Sequence, residues 1–441
     1  MKTKKYKQGL VTGLTALSTA MLCQTATTYA SDIEIYKAPT NGGATLMFVL
    51  DLSGSMSQSI DKSVQRDFFG TNTSCTSESL VVRSVLGGVN YDFNGSYCYI
   101  NESTFGGLST TRRAQITSQV EAKNCLKESR DFGGWEWKWV GWELKKVWVS
   151  QLQQAYSCPD RVTMLKRSLF DLIAGNSSVD GGKLATENTP LPPTSSIGLT
   201  TFRNSTPEIK SNPLVLNSEN RGALLNEIKT WSATGGTPIA RAYATGISGL
   251  FDHISSPNTE TACAGYGVYY LTDGDPSGDN PSSAKTTYNA KVRNTFALTD
   301  TQCTGGDSDS WSCVQSMAAN SQQKKNNSNV EIKTAVVGFG TAFNFSNSNG
   351  QSVIYNPTTT YTDDTLSQSF SGNTLAAAKA AVAGKGGWYS ASNTNDIVNS
   401  VTNFVNSIKI PIPAITTGTS AIPQDVLNTS VIQPYAYFPQ F

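Results

Sequence analysis

The polarity pattern of this chain alternates short apolar runs with helical-period stretches. The run Leu46–Leu50 is five apolar residues without helical spacing, bounded by Gly42-Gly43 and Gly54, and predicts a strand buried on both faces. Gly267–Leu271 has the same character. Ser196–Phe202 predicts another strand, Val330–Phe339 alternates and then turns wholly apolar, and Gly387–Ser390 is a short late strand. Between them, Asp160–Ala174, Gly222–Trp231, Ile239–Phe251, Leu375–Ala383 and Asp396–Ile408 place apolar residues at helical spacing. Alternating strands and helices predict an α/β fold with a doubly wound, mostly parallel sheet. Asp279–Asn329 and Thr341–Gly372 are rich in Ser, Asn, Gly and Thr and read as loops on that core.

Polar residues stand where the strands end. Asp51-Leu52-Ser53-Gly54-Ser55 follows the first strand as D-x-S-x-S, and Leu271-Thr272-Asp273-Gly274 ends the 267–271 strand in a second acid. Thr234-Gly235-Gly236-Thr237-Pro238 places a hydroxyl in a glycine-rich turn, with Pro238 set to start the next helix. In an open parallel sheet, ligands bind at the C-terminal edge of the strands. Carboxylates and hydroxyls form an oxygen-only donor set, suited to Mg²⁺ or Ca²⁺ rather than zinc. Alone, D-x-S-x-S also fits a helix-capping Asx or Ser turn. The three segments in order, each at a strand or helix boundary, favour convergence on one site.

The ordered trio D-x-S-G-S, T-G-G-T-P and L-T-D-G resembles the metal-ion-dependent adhesion site of von Willebrand factor A domains. The resemblance implies hydroxyl ligands Ser53, Ser55 and Thr237, with Asp51 and Asp273 holding a divalent cation directly or through water. It also implies an open coordination position for a partner's carboxylate.

About a hundred residues separate the first motif from the helix at 160–174, more than any ordinary loop. Residues 57–157 are therefore expected to be a subdomain inserted within a domain spanning 44–410. Five of the eight tryptophans lie in it: Trp135, Trp137, Trp139, Trp142 and Trp148. The spacing of two turns Trp135, Trp137 and Trp139 to one side of a strand. They are either a binding face for a ligand or the insertion's own small core. The second reading is preferred, since a small subdomain has little else to bury.

Residues 1–30 have the parts of a signal peptide: Lys2, Lys4, Lys5 and Lys7, an apolar stretch from Gly9 to Cys23, and Thr28-Tyr29-Ala30 as a cleavage site. Cys23 follows Leu22, which is too large for a lipobox. The chain is thus expected to be exported and not an integral membrane protein. Removing this segment leaves a slightly acidic remainder with no basic block, which argues against nucleic acid as a partner. Seven cysteines remain, and export favours disulfides. Cys303–Cys313 closes a short loop, and Cys75–Cys98 and Cys125–Cys158 are plausible pairs, leaving Cys263 over. Without a C-x-x-C pair, and with His253 as the one histidine, zinc is rejected. No P-loop, no G-x-S-x-G and no second histidine supports catalysis, so an enzyme is not expected. His253 reads as a surface or helix-end residue, and Asp275 and Asp279 as turn residues, with support of the metal ligands as the lesser alternative.

Several features together resemble the N-terminal region of the PilC/PilY family of type IV pilus tip adhesins and biogenesis factors. They are the leader running into the domain, the cysteine-bearing insertion, the L-T-D-G-D-P at 271–276, and the Pro-rich connector over 411–441. The connector would lead to a further domain, a β-propeller in that family. The resemblance implies a pilus tip or outer-membrane location, reached through the periplasm. It implies as partners minor pilins or pilus tip proteins, and a host or abiotic surface ligand. An envelope or secreted metal-dependent binding module unrelated to pili is the alternative.

Overall fold

The computed structural model describes residues 43–57, 74–83, 88–121, 124–174, 177–178, 185–186, 190–256, 265–292, 302–322, 330–340, 366–367, 370–391 and 393–409. Segments 1–30 and 411–441, Cys263 and nearly all of 341–372 lie outside them.

Strand β1 (Ala44–Asp51) is buried along its whole length. It sits inside a six-stranded sheet whose order is β11 (Thr206–Val215), β10 (Ser196–Arg203), β1, β12 (Gly265–Thr272), β13 (Ile332–Phe339), β14 (Lys385–Ala391). All pairings are parallel except β10 with β11. The period-two alternation of β1 divides its side chains between two cores. Leu46, Phe48 and Leu50 join one with Tyr269, Leu271 and Phe404, and Met47 and Val49 join the other with Tyr243, Tyr270 and Trp311. The sheet is therefore covered on both faces, as the doubly wound α/β class requires.

Helices α3 (Arg161–Ala174), α4 (Ser218–Ile228) and α9 (Thr394–Ile408) supply the first core, and α5 (Ile239–Ile254), α6 (Pro281–Val292), α7 (Ser310–Ser321) and α8 (Gly372–Ala383) the second. Helix α5 lies close on β1 because Gly246 has no side chain: a Cβ there would stand 2.3 Å from Val49 Cγ2.

Two sequence expectations are corrected. Residues 279–329 are not all loop, since α6 and α7 fall there. Their Ser/Asn composition conceals helical faces carried by Ala284, Tyr288 and Val292, and by Trp311, Val314, Met317 and Ala318, all buried. Strand β11 was not anticipated either. Its Pro207 and Pro213 are tolerated because β11 is the sheet's edge. The helix expected at 222–231 begins earlier, where Asn217 caps it by accepting from Asn220 N at 2.8 Å.

The chain between β1 and α3 builds a second sheet, ordered β2 (Ser74–Arg83), β3 (Asn90–Asn101), β7 (Leu152–Pro159), β4 (Leu126–Asp131), with α1 (Glu102–Gly106) and α2 (Thr110–Glu121) after β3. The disulfides Cys75–Cys98, Cys125–Cys158 and Cys303–Cys313 form as paired in the sequence reading. The first links directly opposed residues of β2 and β3. A two-residue pair, β8 (Ser177–Ser178) and β9 (Ala185–Thr186), follows α3.

This second sheet shares the core of the first. Phe93 packs on Phe170 of α3 with ring centroids 4.7 Å apart, and Leu80, Tyr97 and Ile100 belong to the same cluster. Every residue of α3 is consequently buried, including Arg161, Lys166, Arg167 and Asp171. Truncating Phe93 should therefore destabilise the whole unit. Phe93→Ala is expected to cost about 3–5 kcal/mol. In urea unfolding it should lower the midpoint of one shared transition, whereas an unchanged midpoint would show that the second sheet folds separately.

Candidate metal-binding site

The chain runs from β1 outward through β10 to β11, then returns to β12 on the other side of β1. The strand order thus reverses between β1 and β12, the switch point where such sheets bind ligands. Asp51 ends β1 and Asp273 follows β12, so both acids stand there.

Asp51 is fully buried. Its Oδ1 accepts from Ser53 N at 2.8 Å, and its Oδ2 accepts from the Thr272 hydroxyl at 2.7 Å and from Asp273 N at 3.4 Å. Ser53 Oγ lies 2.9 Å from Ser55 Oγ, and the Ser55 hydroxyl donates to Asp273 Oδ1 at 2.7 Å. The other Asp273 oxygen accepts from Arg161 Nη1 at 2.6 Å. One hydrogen-bonded chain therefore runs through Asp51, Ser53, Ser55, Asp273 and Arg161.

Thr237 is set beside this chain by its backbone. The D-x-S-x-S loop lies on the T-G-G-T-P loop through Thr234 N to Leu52 O at 2.8 Å and Gly54 N to Gly235 O at 2.9 Å. Gly235 has φ +77°, and a Cβ there would fall 1.6 Å from Asn204 Oδ1, so only glycine fits. Two residues on, Thr237 exchanges backbone hydrogen bonds with Ser277, each 3.0 Å, which bind this loop to the one leaving β12.

Burial, reinforced by the neighbouring Asp273 carboxylate, pushes the Asp51 carboxyl up to about 7. Burial also raises Asp273, and the Arg161 guanidinium opposes that rise. Two carboxylates are thus buried against a single ion-paired guanidinium, an arrangement short of positive charge. The donor set of two carboxylates and three hydroxyls fits a hard divalent cation. Among the described residues no group of three or more His, Cys, Asp or Glu side chains gathers to hold a metal, here or elsewhere, so beyond its two acids this site offers hydroxyls.

Two participants escaped the sequence reading. Thr272 was visible inside L-T-D-G, and its hydroxyl proves to hold Asp51. Arg161 is 112 residues from Asp273 in sequence and carries no local signal. Asp279 is more than a turn residue: its buried carboxylate accepts from Ala240 N at 2.6 Å and from Arg241 Nε at 3.2 Å, fixing the start of α5 just after Thr237-Pro238. Asp275 accepts from Asn373 Nδ2 at 2.9 Å. His253 lies in the last turn of α5.

A cleft of about 370 Å³ opens between the second sheet and the main core, lined by Ser57, Ser96, Asp160, Lys166 and Trp231 among others. Burial raises Asp160 to about 6 and lowers Lys166 to about 8. Ser57 is two residues beyond Ser55, so the cleft adjoins the loop of the site.

Trp135, Trp137 and Trp139 are not in the site. They lie on strand β5 (Gly134–Val140), which among the described residues pairs only with β6 (Glu143–Val149). Their exposures are 61, 65 and 71 %, which overturns the expectation that they form the insertion's core. That core is made instead by Leu80, Phe93, Tyr97, Ile100, Ile116 and Tyr156, which reach α3 and need no tryptophan.

No family model and no curated protein matches the chain. Among solved structures it is similar to a conserved hypothetical protein, BatB, from Bacteroides thetaiotaomicron (12 % identity, 57 % of this chain and 89 % of that one, TM-score 0.31). It is also similar to an aerotolerance-related membrane protein from Bacteroides fragilis (13 %, 56 and 90 %, TM-score 0.29) and to proximal thread matrix protein 1 from the mussel byssus (12 %, 56 and 40 %, TM-score 0.25). At such TM-scores the fold assignment rests on the sheet order rather than on these likenesses. Among the described residues no helix is long and apolar enough to cross a membrane.

Among the described residues Arg161 is the one guanidinium paired with these acids, so Arg161→Met should leave Asp273 buried without its ion-pair partner. A loss of about 3–5 kcal/mol is expected in the metal-free protein, read as a lower urea midpoint. A loss well under 1 kcal/mol would mean that the ion pair is not needed to hold the site together.

Proposed function

We propose that this chain is an exported adhesion or assembly module that binds partners through a divalent cation, Mg²⁺ or Ca²⁺. Asp51, Ser53, Ser55, Thr237 and Asp273 would hold the ion. When bound, it would supply an electrophilic coordination position for a carboxylate from a partner. The observation that carries this reading is the pair Asp51 and Asp273, buried at the switch point of the sheet and joined through the Ser53 and Ser55 hydroxyls. Burial raises the pKa of both carboxylates, and a bound divalent cation would supply the positive charge this setting lacks. Three disulfides suit an oxidising compartment, in keeping with the signal-like start of the chain.

The narrower assignment, a type IV pilus tip adhesin or biogenesis factor whose partners are minor pilins and a surface ligand, rests on the sequence resemblance. Binding of purified minor pilins by the exported chain, abolished by chelator, is the result expected of it. Indifference to every minor pilin would favour an envelope module unconnected with pili.

Calorimetric titration with Mg²⁺, Ca²⁺ and Mn²⁺ tests the metal reading directly. Saturable binding is expected in the wild type, with affinity reduced by roughly tenfold or more in Asp51→Ala and Thr237→Ala at unchanged circular dichroism. Folded wild-type protein that takes up none of the three ions would sink the proposal.

A further inference from the structure

The β5–β6 hairpin extends beyond the second sheet as a two-stranded arm. β4 and β7 pair from Leu126↔Ser157 to Asp131↔Leu152, and the ladder then continues as β5 with β6, which join no other strand. Asp131 fixes the joint. Its carboxylate accepts from Gly133 N, Gln151 N and Trp148 Nε1, each at 2.8 Å, and from the Ser150 hydroxyl. These bonds, that of Ser150 foremost, hold its carboxyl well below the usual range. The arm is thus built to be held out in one direction.

Its two faces differ in chemistry. Pairing of Trp135 with Trp148, Trp137 with Lys146 and Trp139 with Leu144 sets all six side chains on one face. Trp135 and Trp148 pack edge to face at 5.7 Å, and every residue of the six is exposed. The tip adds Trp142, 98 % exposed, beside Gly141 at φ +65°. The opposite face carries the ion pairs Lys138–Glu136 at 3.4 Å and Lys145–Glu143 at 2.8 Å, which leave it without net charge, beside Val140, Val147 and Val149.

The choice of occupant follows from these facts. A stable protein interface carries about one hydrogen bond per 100–200 Å² beside its apolar core, and a face made mostly of indole rings leaves few side-chain groups to supply them. A soluble glycan is read by free polar side chains beside the stacked rings; between β5 and β6 this face has only Lys146, and the Asp131 carboxylate at its base is taken up by Trp148 Nε1, Ser150 and two backbone N–H groups. Exposed indole rings, a single cation and a tryptophan tip suit the headgroup region of a bilayer. The charged back face would remain in water. We infer that this arm docks the protein on a lipid bilayer surface, with Trp135, Trp137, Trp139, Trp142 and Trp148 in the headgroup region and Lys146 drawn to anionic lipid.

The full chain is tested by co-sedimentation with vesicles of phosphatidylcholine, with and without phosphatidylglycerol, in chelator. Binding is expected, stronger to the anionic vesicles, with a blue-shifted tryptophan emission quenched by brominated lipid. The other three tryptophans, Trp231, Trp311 and Trp388, are already buried, so the shift reports on the arm. Trp137→Ala/Trp139→Ala/Trp142→Ala should weaken binding by roughly tenfold or more, and Lys146→Glu should weaken it only on anionic vesicles. Asp51→Ala should bind as the wild type does, which separates this inference from the metal site. Absence of vesicle binding, or equal binding by the triple variant, overturns it. So does retention on insoluble cellulose or chitin, or a concentration-dependent dimer, that the triple variant loses while neither protein binds vesicles.

Discussion

Charge buried at one point orders the rest of this structure. Asp51 and Asp273 stand at the ends of adjacent parallel strands, out of water, and Arg161 answers only one of them. Carboxylates in such a place must be hydrogen-bonded or must lose their charge. Ser53 N, Thr272, Ser55 and Arg161 meet that demand, and they come from three places: the loop after β1, the end of β12 and the start of α3. The demand therefore fixes the loop after β1, the exit of β12 and the first residue of α3 relative to one another. It also limits where the insertion can leave and rejoin the core, because the chain must return with Arg161 facing Asp273. Asp160, one residue earlier, completes that return by donating its N–H to Ser96 O at 2.8 Å and capping α3 through Thr163 N.

The insertion has two physical characters. Near α3 it is an extension of the main core, with Phe93 on Phe170 and Phe105 stacked on Tyr156. Covering α3 turns an amphipathic helix into a wholly buried one, and its polar side chains find partners inside: Lys166 donates to Lys229 O, and Arg167 approaches Asp171. Beyond Asp131 the character changes. The arm carries the largest exposed aromatic surface among the described residues and is held by backbone pairing and one carboxylate joint. A rigid foundation and an apolar outer face are what a contact organ needs. The loop proposed to bind metal and the arm proposed to dock would thus be two separate means of engagement on one chain.

The sheet was largely legible in the sequence, because strands buried on both faces must be continuous apolar runs and little else in this chain is. β1, β10, β12 and β13 were found within about two residues for that reason. The helices α6 and α7 were missed because their exposed faces, full of Ser, Asn and Thr, outweigh in composition the few buried residues that define their period. β11 was missed because a polar edge strand with two prolines has no sequence signature distinct from a loop.

Local sequence determined the donor types of the site and their place at strand ends, since D-x-S-x-S and L-T-D-G are set by strand termini and turn geometry. It also determined which tryptophans share a face, since a strand alternates with period two. Only the tertiary structure decided that Arg161 meets Asp273, because that contact depends on how a long insertion closes. It alone decided that the tryptophans face outward, because burial is a property of what lies opposite. The four strands β2, β3, β7 and β4 enclose their core without β5 and β6, and among the described residues none covers the rings.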